Sequence, residues 1–358
     1  MKRTYLRMVL FSIALAVALL PVRLAHADAP TVIRLFNPGS GVGNRPYVGG
    51  SSFVTMHLKG MLEDEFRKDG IQIKWTFLPG AGPAVNESYA NGLVDFSLLG
   101  DLPSIIGHAG GLHTRILAAT AIRQNTYVAV PADSSVSSIK DLRGKSVALF
   151  KGTNLQLAAA KIFETGGLSE RDVHAINMDS ETAKSAIITK SVDATFGGPE
   201  LLALRDQGTA KIIYSTRGAD PKLLRHCTFI GSEDFIRKYP EITERVVKVF
   251  VLAAKWLADQ DANPTPVYEL WAKSGVPFSN FKEDLGGVSL KILSSLLLDD
   301  YLVSEYKAHI DQAKQYGLIR RSFEFEPWID RTFLTQALKD LHLEHQWTEY
   351  DASGRPKG

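Results

Sequence analysis

The chain has 358 residues, of which 45% are hydrophobic and 22% charged, and its formal net charge is +2. This composition is typical of a soluble globular protein with one or two domains. Four of the basic residues lie in the first 27 positions, which hold no acidic residue, so the rest of the chain has 37 basic and 39 acidic residues. A general surface for nucleic acid or anionic membranes is therefore not indicated.

Residues 1–27 have the pattern of a secretory signal peptide. A basic start precedes the apolar run Met8–Leu20, and Ala25-His26-Ala27 provides the small residues of a cleavage site before Asp28. The run is too short to cross about 30 Å of hydrocarbon as a stable helix, so an uncleaved membrane anchor is the weaker alternative. Because no cysteine follows the cleavage site, we expect a soluble periplasmic protein without a lipid anchor.

Cys227 is the only cysteine, which excludes an intramolecular disulfide and any metal site with several cysteine ligands. We expect a buried, unreactive thiol at this position. The segment His342–His345 lacks the histidine spacing of zinc enzymes, and the loop Asn37–Gly50 lacks the glycine spacing of a dinucleotide fingerprint. The sequence thus predicts neither a metal site nor a cofactor. The loop either lines a ligand site or is a plain flexible connection.

Short strands and helices alternate through the first part of the chain. The predicted strands are Thr31–Phe36, Ile71–Leu78, Val94–Leu99, Ile116–Ala121 and Tyr127–Val130. Predicted helices begin at Ser51-Ser52 and cover Phe53–Lys68, follow the Gly82-Pro83 turn, and start again at Gly100-Asp101.

The same alternation then starts again. The predicted elements are strands Ser146–Phe150, Ala175–Met178, Val192–Phe196 and Lys211–Tyr214, with helices Leu155–Thr165 and Ser180–Lys190. A weak internal repeat relates the two parts, because Asp95 lies five residues before Gly100 and Asp193 lies five before Gly198. Each part is therefore predicted to be a small βαβα unit. After a return crossing at Thr228–Gly231, the sequence predicts a long helix over Pro240–Asp259 and further helices in residues 264–349.

Several of these helices begin directly after strands, at glycine, serine or threonine turns. In an open α/β sheet the free N–H groups of such helix starts point into a shared crevice, where they hold an anion. The candidate residues are Ser51, Ser52, Gly82, Pro83, Gly100, Asp101, Thr153, Asn154 and Gly198. Each is also explained as an ordinary helix cap, and Asp101 would repel an anion unless it faces away or meets a cation. Arg45, Arg123 and Lys151 are candidate counter-charges, with ordinary solvation as the alternative.

Several motifs carry a family resemblance: Gly80–Pro83, Gly92–Phe96 with Gly100–Pro103, Ile139–Ala148, Lys151–Asn154 and Gly166–Leu168. They resemble the substrate-binding proteins of sulfonate-, taurine- and nitrate-type ABC importers. The resemblance implies the type II periplasmic-binding fold, an α/β fold with two lobes. Each lobe is a mixed sheet flanked by helices, and the ligand cleft lies between them. The expected boundaries are 28–122 for the first part of lobe I, 123–231 for lobe II and 232–358 for the completion of lobe I.

The resemblance also implies which residues hold the ligand. The ligand-binding candidates are then the helix-start residues named above, Arg123, and four residues that the resemblance adds: Gly49, Lys151, Gly197 and Glu200. The chain departs from the family at Thr195–Glu200, where relatives often have a tryptophan-rich run, and in its longer loop Pro38–Gly50. Both departures favour a ligand bulkier than a short alkylsulfonate.

The function implied by the resemblance is an exported receptor that captures a small organic anion and delivers it to an ABC permease and ATPase. A sulfonate or sulfate ester is favoured, and nitrate, taurine and a pyrimidine or thiamine precursor are alternatives. Hinge closure is expected from flexing at Arg123–Tyr127 and at the strand near Thr228. A sensor partner and an enzyme on the same fold are the less favoured readings. We expect a monomer with no nucleic-acid partner.

Overall fold

A computed structural model provides the structure of residues 29–357. The predicted signal peptide lies outside this range. Within the range, strands form two five-stranded mixed sheets with helices packed against them. No helix in this part of the chain is long and apolar enough to cross a membrane.

The first sheet contains β1 (Val32–Asn37), β2 (Gln72–Phe77), β3 (Phe96–Gly100), β4 (Thr114–Gln124) and β10 (Arg225–Ser232). Their order across the sheet is β2-β1-β3-β10-β4. Strand β1 pairs in parallel with β2 and β3, whereas β10 runs antiparallel between β3 and β4. Parallel neighbours require a crossover connection, usually a helix, which is why strands and helices alternate in the sequence. We call this sheet and its helices the first lobe.

The second sheet contains β5 (Tyr127–Pro131), β6 (Ser146–Leu149), β7 (His174–Asn177), β8 (Ala194–Gly197) and β9 (Ala210–Ser215). Their order is β7-β6-β8-β5-β9, with β6 parallel to β7 and β8 and with β5 antiparallel to β8 and β9. This sheet and its helices form the second lobe. The two-lobed α/β fold predicted from the sequence is confirmed.

The internal repeat predicted from the sequence is present in the two sheets. Strands β1, β2 and β3 correspond to β6, β7 and β8 in order and direction. The Asp95 carboxylate accepts a hydrogen bond from the Arg34 N–H in β1 at 2.7 Å, and the Asp193 carboxylate accepts one from the Ser146 N–H in β6 at 2.8 Å. The two aspartates therefore make equivalent bonds just before the third strand of each lobe.

Within residues 29–357, α-helices connect many of the strands, and further α-helices follow β10. They are α1 (Ser52–Leu58), α2 (Met61–Phe66), α3 (Ala81–Ala90), α4 (Asp101–Ala109), α5 (Asn154–Thr165), α6 (Ser180–Ile188), α7 (Glu200–Asp206), α8 (Glu233–Lys238), α9 (Pro240–Asp259), α10 (Thr265–Ala272), α11 (Phe278–Leu285), α12 (Leu290–Leu293), α13 (Asp300–Gln315) and α14 (Thr332–Asp340). Short 3₁₀ turns lie at Arg67–Asp69, Ile139–Leu142, Glu170–Asp172, Pro221–Leu223 and Glu326–Trp328.

One predicted helix is divided in the structure. The single helix predicted over Phe53–Lys68 is wrong, because α1 ends at Leu58 and α2 begins at Met61. Gly60 caps α2 with a φ of 63°, a left-handed conformation that glycine adopts without steric cost. The apolar periodicity continues across this break, so the sequence pattern did not reveal that the helix is divided. The long helix predicted over Pro240–Asp259 is confirmed with both its ends.

Two crossover segments connect the lobes. The chain passes from β4 to β5 through Asn125-Thr126 and returns from β9 to β10 through residues 216–224. The crossovers are bonded to each other, since the Thr126 N–H donates to Thr216 Oγ1 at 2.8 Å and the Thr216 N–H donates to the Thr126 carbonyl at 3.0 Å. The predicted lobe boundary at residue 231 needs correction, because the chain has already returned to the first sheet at Arg225. Thr228 likewise lies within that sheet and not in the crossover.

The C-terminal helices complete the first lobe. The Phe250 ring of α9 stacks on the Phe229 ring of β10, with ring centroids 4.5 Å apart. Leu334 and Ala337 of α14 are buried in the same core. A smaller apolar cluster, formed by α9 to α12, lies beside the cavity described next.

Candidate functional site

A cavity of about 320 Å³ is lined by residues of both lobes. Many of the lining residues lie at helix starts, as the sequence predicted. These are Gly50-Ser51 before α1, Ala81-Gly82 in α3, Gly100 before α4, Thr153–Leu155 at α5, Asp179–Glu181 at α6 and Gly198–Glu200 at α7. No side chain caps the starts of α3 and α5, so N–H groups of their first turns remain available to a ligand or to water.

The structure brings together most of the residues that the sequence predicted for the site. Those lining the cavity are Gly49, Ser51, Gly82, Gly100, Arg123, Thr153, Asn154, Gly198 and Glu200. The remaining candidates are outside the lining: Ser52, Pro83, Asp101, Lys151 and Gly197. Arg45 is exposed on its loop and is also outside it.

Two of the lining glycines are required by close approach. A Cβ atom at Gly100 would lie 2.9 Å from Asn154 Cβ on the opposite lobe. A Cβ atom at Gly49 would lie 2.7 Å from both Phe281 Cζ and Trp271 Cβ. Real Cβ atoms do not approach carbon so closely, so any side chain here would force the surrounding elements apart.

The candidates outside the lining have other surroundings, and the buried Ser52 hydroxyl has no hydrogen-bond partner within residues 29–357. Lys151 forms an ion pair with Glu170, with Nζ 2.9 Å from Oε1. Pro83 supports the contact between the lobes, because a Cβ atom at Gly152 would lie 2.9 Å from its Cγ. Ser52 and Gly197 are buried beside lining residues. These positions shape the site without forming its surface.

Asp101 belongs to a buried group of ionisable side chains behind the cavity wall, which we call the Lys161 cluster: Asp101, Lys161, His226, Glu305 and His309. His309 Nδ1 lies 3.3 Å from Asp101 Oδ2, and Lys161 Nζ lies 3.2 Å from His309 Nε2. Burial disfavours the charged form of Asp101, but His309 and Lys161 together hold its pKa below the usual value. The Asp101 carboxylate thus contacts His309 and is not part of the cavity lining.

Arg123 lines the cavity, but its guanidinium packs against two tyrosine rings. Its guanidinium lies 5.0 Å from the ring centroid of Tyr301 and 4.9 Å from that of Tyr350. Both Ala121 (φ 45°) and Arg123 (φ 58°) have left-handed backbones at the end of β4. Such conformations cost roughly 1–3 kcal/mol each and are concentrated at functional sites. The strained end of β4 is part of the cavity lining.

Arg225 is the buried arginine of the cavity, and sequence reasoning missed it. It begins β10, is only 9% exposed, and lines the cavity. Its Nε donates to Thr126 Oγ1 at 3.0 Å, and Nη2 donates to the Asn125 carbonyl at 2.5 Å. Nη1 lies 3.5 Å from Asn154 Oδ1. Each of these bonds within residues 29–357 ends on a neutral oxygen. The guanidinium has no carboxylate at ion-pair distance among these residues, and Asp284 acts on it only from farther away.

The carboxylates that line the cavity are bonded to other groups. Asp284 accepts hydrogen bonds from Asn125 Nδ2 at 2.9 Å and from the Tyr127 hydroxyl at 2.7 Å. Burial raises the pKa of Asp284, while the bonds from Asn125 and Tyr127 and the charge of Arg225 oppose that shift. Glu200 Oε1 accepts the Gly198 N–H at 2.8 Å. Asp179 caps α6, where a carboxylate at a helix start is stabilised by the helix dipole.

Cys227 also lines the cavity, and it is buried as expected. Burial is the main cause that raises the pKa of its thiol to about 12. The thiol is protonated at neutral pH, and a thiol in that form is a poor nucleophile.

Two mixed sheets, joined by two crossovers around a cavity with helix starts from both sides, define a periplasmic binding protein fold. The sequence pattern of the NMT1/THI5-like family matches residues 66–263, which is more than half of the chain, and the chain therefore belongs to that family.

Known proteins agree with this assignment. The chain is 30% identical to a solved structure from Methylobacillus flagellatus KT named as the periplasmic sulfonate-binding protein SsuA of a sulfonate ABC transporter. The match covers 90% of this chain and 98% of that one, with a TM-score of 0.74. A protein of Bacillus subtilis (strain 168), named for binding aliphatic sulfonates, is 26% identical over 79% of this chain and 83% of its own length.

The fold also occurs in an enzyme. The desulfurization enzyme DSZB is 17% identical, with a TM-score of 0.64 over 86% of this chain and 99% of that one. At this identity the likeness shows the fold alone. The relative from Methylobacillus flagellatus KT is named as a periplasmic binding protein of an ABC transporter, and the relative from Bacillus subtilis is named as a binding protein.

Proposed function

We propose that this protein is the periplasmic substrate-binding protein of an ABC importer and that it captures a small organic oxyanion between its lobes. A sulfonate or a sulfate ester is the favoured ligand. Its partners are the permease and ATPase subunits of the importer, to which a monomeric receptor delivers the ligand without changing it chemically. The names of the relatives support this class of ligand.

The observation that carries the proposal is the buried guanidinium of Arg225, which has no carboxylate at ion-pair distance among residues 29–357. A buried guanidinium without a carboxylate partner is costly, and an anionic ligand removes that cost. Free N–H groups at the starts of α3 and α5 add donors from both lobes. Since a sulfonate has three acceptor oxygens, it can bond to Arg225 and to helix starts at the same time.

Arg225 also connects the ligand to the hinge. Its bonds to Thr126 and Asn125 hold the first crossover, and its contact with Asn154 reaches the start of α5 in the second lobe. A ligand that contacts Arg225, α3 and α5 therefore stabilises the arrangement in which the lobes touch, and it favours closure by its differential affinity for that state. The hinge is assigned to Asn125-Thr126 and to residues 216–224.

The first experiment is a thermal-shift screen of the purified protein with sulfonates, sulfate esters, taurine, nitrate and pyrimidines. A ligand at 100 times its Kd stabilises the folded state by about 2.7 kcal/mol, which is readily detected as a rise in Tm. We expect sulfonates or sulfate esters to give the largest rise. If no compound shifts Tm at millimolar concentration, the anion proposal is wrong.

The second experiment tests the role of Arg225 by calorimetry. Arg225→Met removes the charge from the cavity and should weaken sulfonate binding roughly 30-fold or more, because a buried charged pair is worth about 2–5 kcal/mol. Arg225→Lys keeps the charge and should lose less. The matched control is Arg237→Met, an exposed arginine outside the cavity, which should bind as the wild type does. Equal affinity in the wild type and Arg225→Met would refute the assignment.

The thiol of Cys227 in the cavity lining is relevant to the alternative that the protein is an enzyme. Cys227 is the lining thiol, and burial keeps it protonated. We therefore expect a bound sulfonate to be recovered unchanged after prolonged incubation with the protein, as judged by mass spectrometry. Release of sulfite or sulfate would instead favour catalysis on this fold.

A further inference from the structure

The C-terminal helices cover one side of the cavity with apolar side chains that an anion does not need. We call this surface the apolar wall, and it consists of Leu257, Trp271, Phe281, Leu285 and Leu293. Trp271 and Phe281 have ring centroids 5.7 Å apart and belong to one buried cluster with Leu257. Leu285 and Leu293 are only partly buried and pack on the same cluster. The wall comes from α9, α10, α11 and α12, and so it is a built surface and not a single exposed side chain.

The side chains of Trp271 and Ser274, which also line the cavity, already have hydrogen-bond partners. Trp271 Nε1 donates to Thr55 Oγ1 at 2.9 Å, leaving the indole to present only apolar surface. Ser274 Oγ accepts the Val276 N–H at 3.3 Å. A polar ligand group placed against the wall would lose its bonds to water and gain none, whereas an apolar group would be transferred out of water at no such cost.

A short chain of hydrogen bonds connects the wall to Arg225. The Asn125 carbonyl accepts a bond from Arg225, and the Asn125 amide donates to Asp284 of α11. On α11, Phe281 lies three residues before Asp284 and four before Leu285, and side chains at these spacings are neighbours on the helix surface. The cationic end of the cavity and the apolar wall therefore lie close enough for one small molecule to contact both.

The size of the cavity agrees with this arrangement. Its volume of about 320 Å³ is roughly ten times the share of one water molecule in the liquid, which is about 30 Å³. It falls in the range of pockets that hold a compact organic ligand, roughly 300–1,000 Å³. An inorganic anion beside Arg225 would leave most of this space to water against apolar side chains.

From these observations we infer that the ligand is a sulfonate or sulfate ester with a bulky apolar substituent, an aromatic ring above all, which packs against the apolar wall. The inference rests on the proposed function and makes it more specific. The wall selects the substituent, and Arg225 with the helix starts selects the oxyanion. Short alkylsulfonates and taurine fill only the charged end and bind more weakly.

The test is a comparison of four compounds by calorimetry with the purified protein: methanesulfonate, benzenesulfonate, 2-naphthalenesulfonate and 2-naphthoate. One methylene in a hydrophobic pocket changes affinity roughly 10–200-fold. We therefore expect each arylsulfonate to bind at least tenfold more tightly than methanesulfonate. Because a carboxylate offers fewer oxygens to Arg225 and the helix starts, 2-naphthoate should bind more weakly than 2-naphthalenesulfonate.

Two variants locate the effect on the wall. Leu285→Gln and Leu293→Gln each place an amide on the apolar surface, and each should reduce the preference for arylsulfonate over methanesulfonate at least threefold. The matched control is Leu252→Gln on α9, at a partly exposed position outside the cavity. This control should keep the wild-type preference. An unchanged preference in both wall variants would overturn the inference.

The outcomes separate the inference from the proposed function. If methanesulfonate binds and the arylsulfonates bind no more tightly, the apolar preference is wrong and the sulfonate receptor stands. If 2-naphthoate binds as tightly as 2-naphthalenesulfonate, the wall is supported and the sulfonate assignment is overturned. If no compound of the panel binds, both are overturned.

Discussion

Gly100 ends β3 at the point where the first lobe meets the start of α5 in the second lobe. Its backbone has an ordinary extended conformation, with φ −68° and ψ 163°, so alanine fits the main chain. What excludes a side chain is the neighbour, because a Cβ atom would lie 2.9 Å from Asn154 Cβ. A substitution at Gly100 should therefore disturb the contact between the lobes without disturbing the folding of either lobe.

We expect Gly100→Ala to weaken ligand binding at least tenfold by keeping the lobes apart, with little change in the Tm of the unliganded protein. The added Asn154→Gly substitution removes the clashing atom and should restore part of the affinity, giving a positive coupling in a double-mutant cycle measured by calorimetry. Independent, additive effects of the two substitutions would contradict this explanation.

At the scale of secondary structure, the break between α1 and α2 shows how one residue decides the direction of a chain. Gly60 has a φ of 63°, and a Cβ atom there would meet nothing within 4 Å. A substitution at Gly60 thus tests backbone strain alone. The break turns the chain after α1, whose first turn lies at the cavity, and starts α2 in a new direction.

We expect Gly60→Ala to lower the free energy of unfolding by about 1–2 kcal/mol, the cost of a left-handed backbone for a residue with a Cβ atom. Gly60→Asn should lose less, since asparagine tolerates this conformation better. Urea denaturation of the three proteins measures the difference. Stability of Gly60→Ala equal to that of the wild type would show that the two helices can merge without cost.

For the molecule as a whole, the Lys161 cluster joins the lobes through buried ionisable groups. Lys161 projects from α5 of the second lobe, donates to the Lys222 carbonyl in the return crossover at 2.6 Å, and meets His309 of the first lobe. Burial is the main cause that lowers the pKa of His226 to about 3, and His309 adds to that shift while Asp101 opposes it. The folded protein therefore holds His226 neutral.

This predicts a loss of stability in mild acid. Below pH 6.5 the unfolded chain binds a proton at His226 that the folded chain does not, so the free energy of unfolding falls as the pH falls. At 1.36 kcal/mol for each pH unit, His226 accounts for about 2 kcal/mol between pH 6.5 and 5. Burial raises the pKa of Glu305, which then takes up a proton in the folded state and reduces this loss.

Urea denaturation at pH 7.0 and 5.0 measures the effect. The His226→Gln variant should show a smaller loss of stability between the two values than the wild type, with a residual slope to which His57 contributes, because burial lowers its pKa to about 4. The exposed His345 provides a control, and His345→Gln should keep the wild-type pH dependence. Equal losses in the wild type and His226→Gln would disprove the assignment to His226.

Much of the fold could be predicted because its signals are local. Alternation of apolar residues, glycine turns and capping residues act within a few positions, and they correctly placed α9, the second-lobe strands and the helix starts around the cavity. The repeat of Asp95 and Asp193 could also be read from spacing, since each bonds to the same place in its own sheet. The break at Gly60 was missed because apolar spacing alone does not distinguish one helix from two.

The sequence by itself determined the two-part α/β plan and the set of helix starts, since hydrogen bonding and turn chemistry act along the chain. Only the tertiary structure decided which charges meet. Arg225 lies about 100 residues from Asn125 and 71 from Asn154, and packing of the two lobes brings these residues together. The same packing brings Asp101 next to His309 and places the Arg123 guanidinium over the rings of Tyr301 and Tyr350. It also placed the apolar wall and Arg225 in the lining of one cavity, because burial favours contact between apolar surfaces wherever they lie in the sequence.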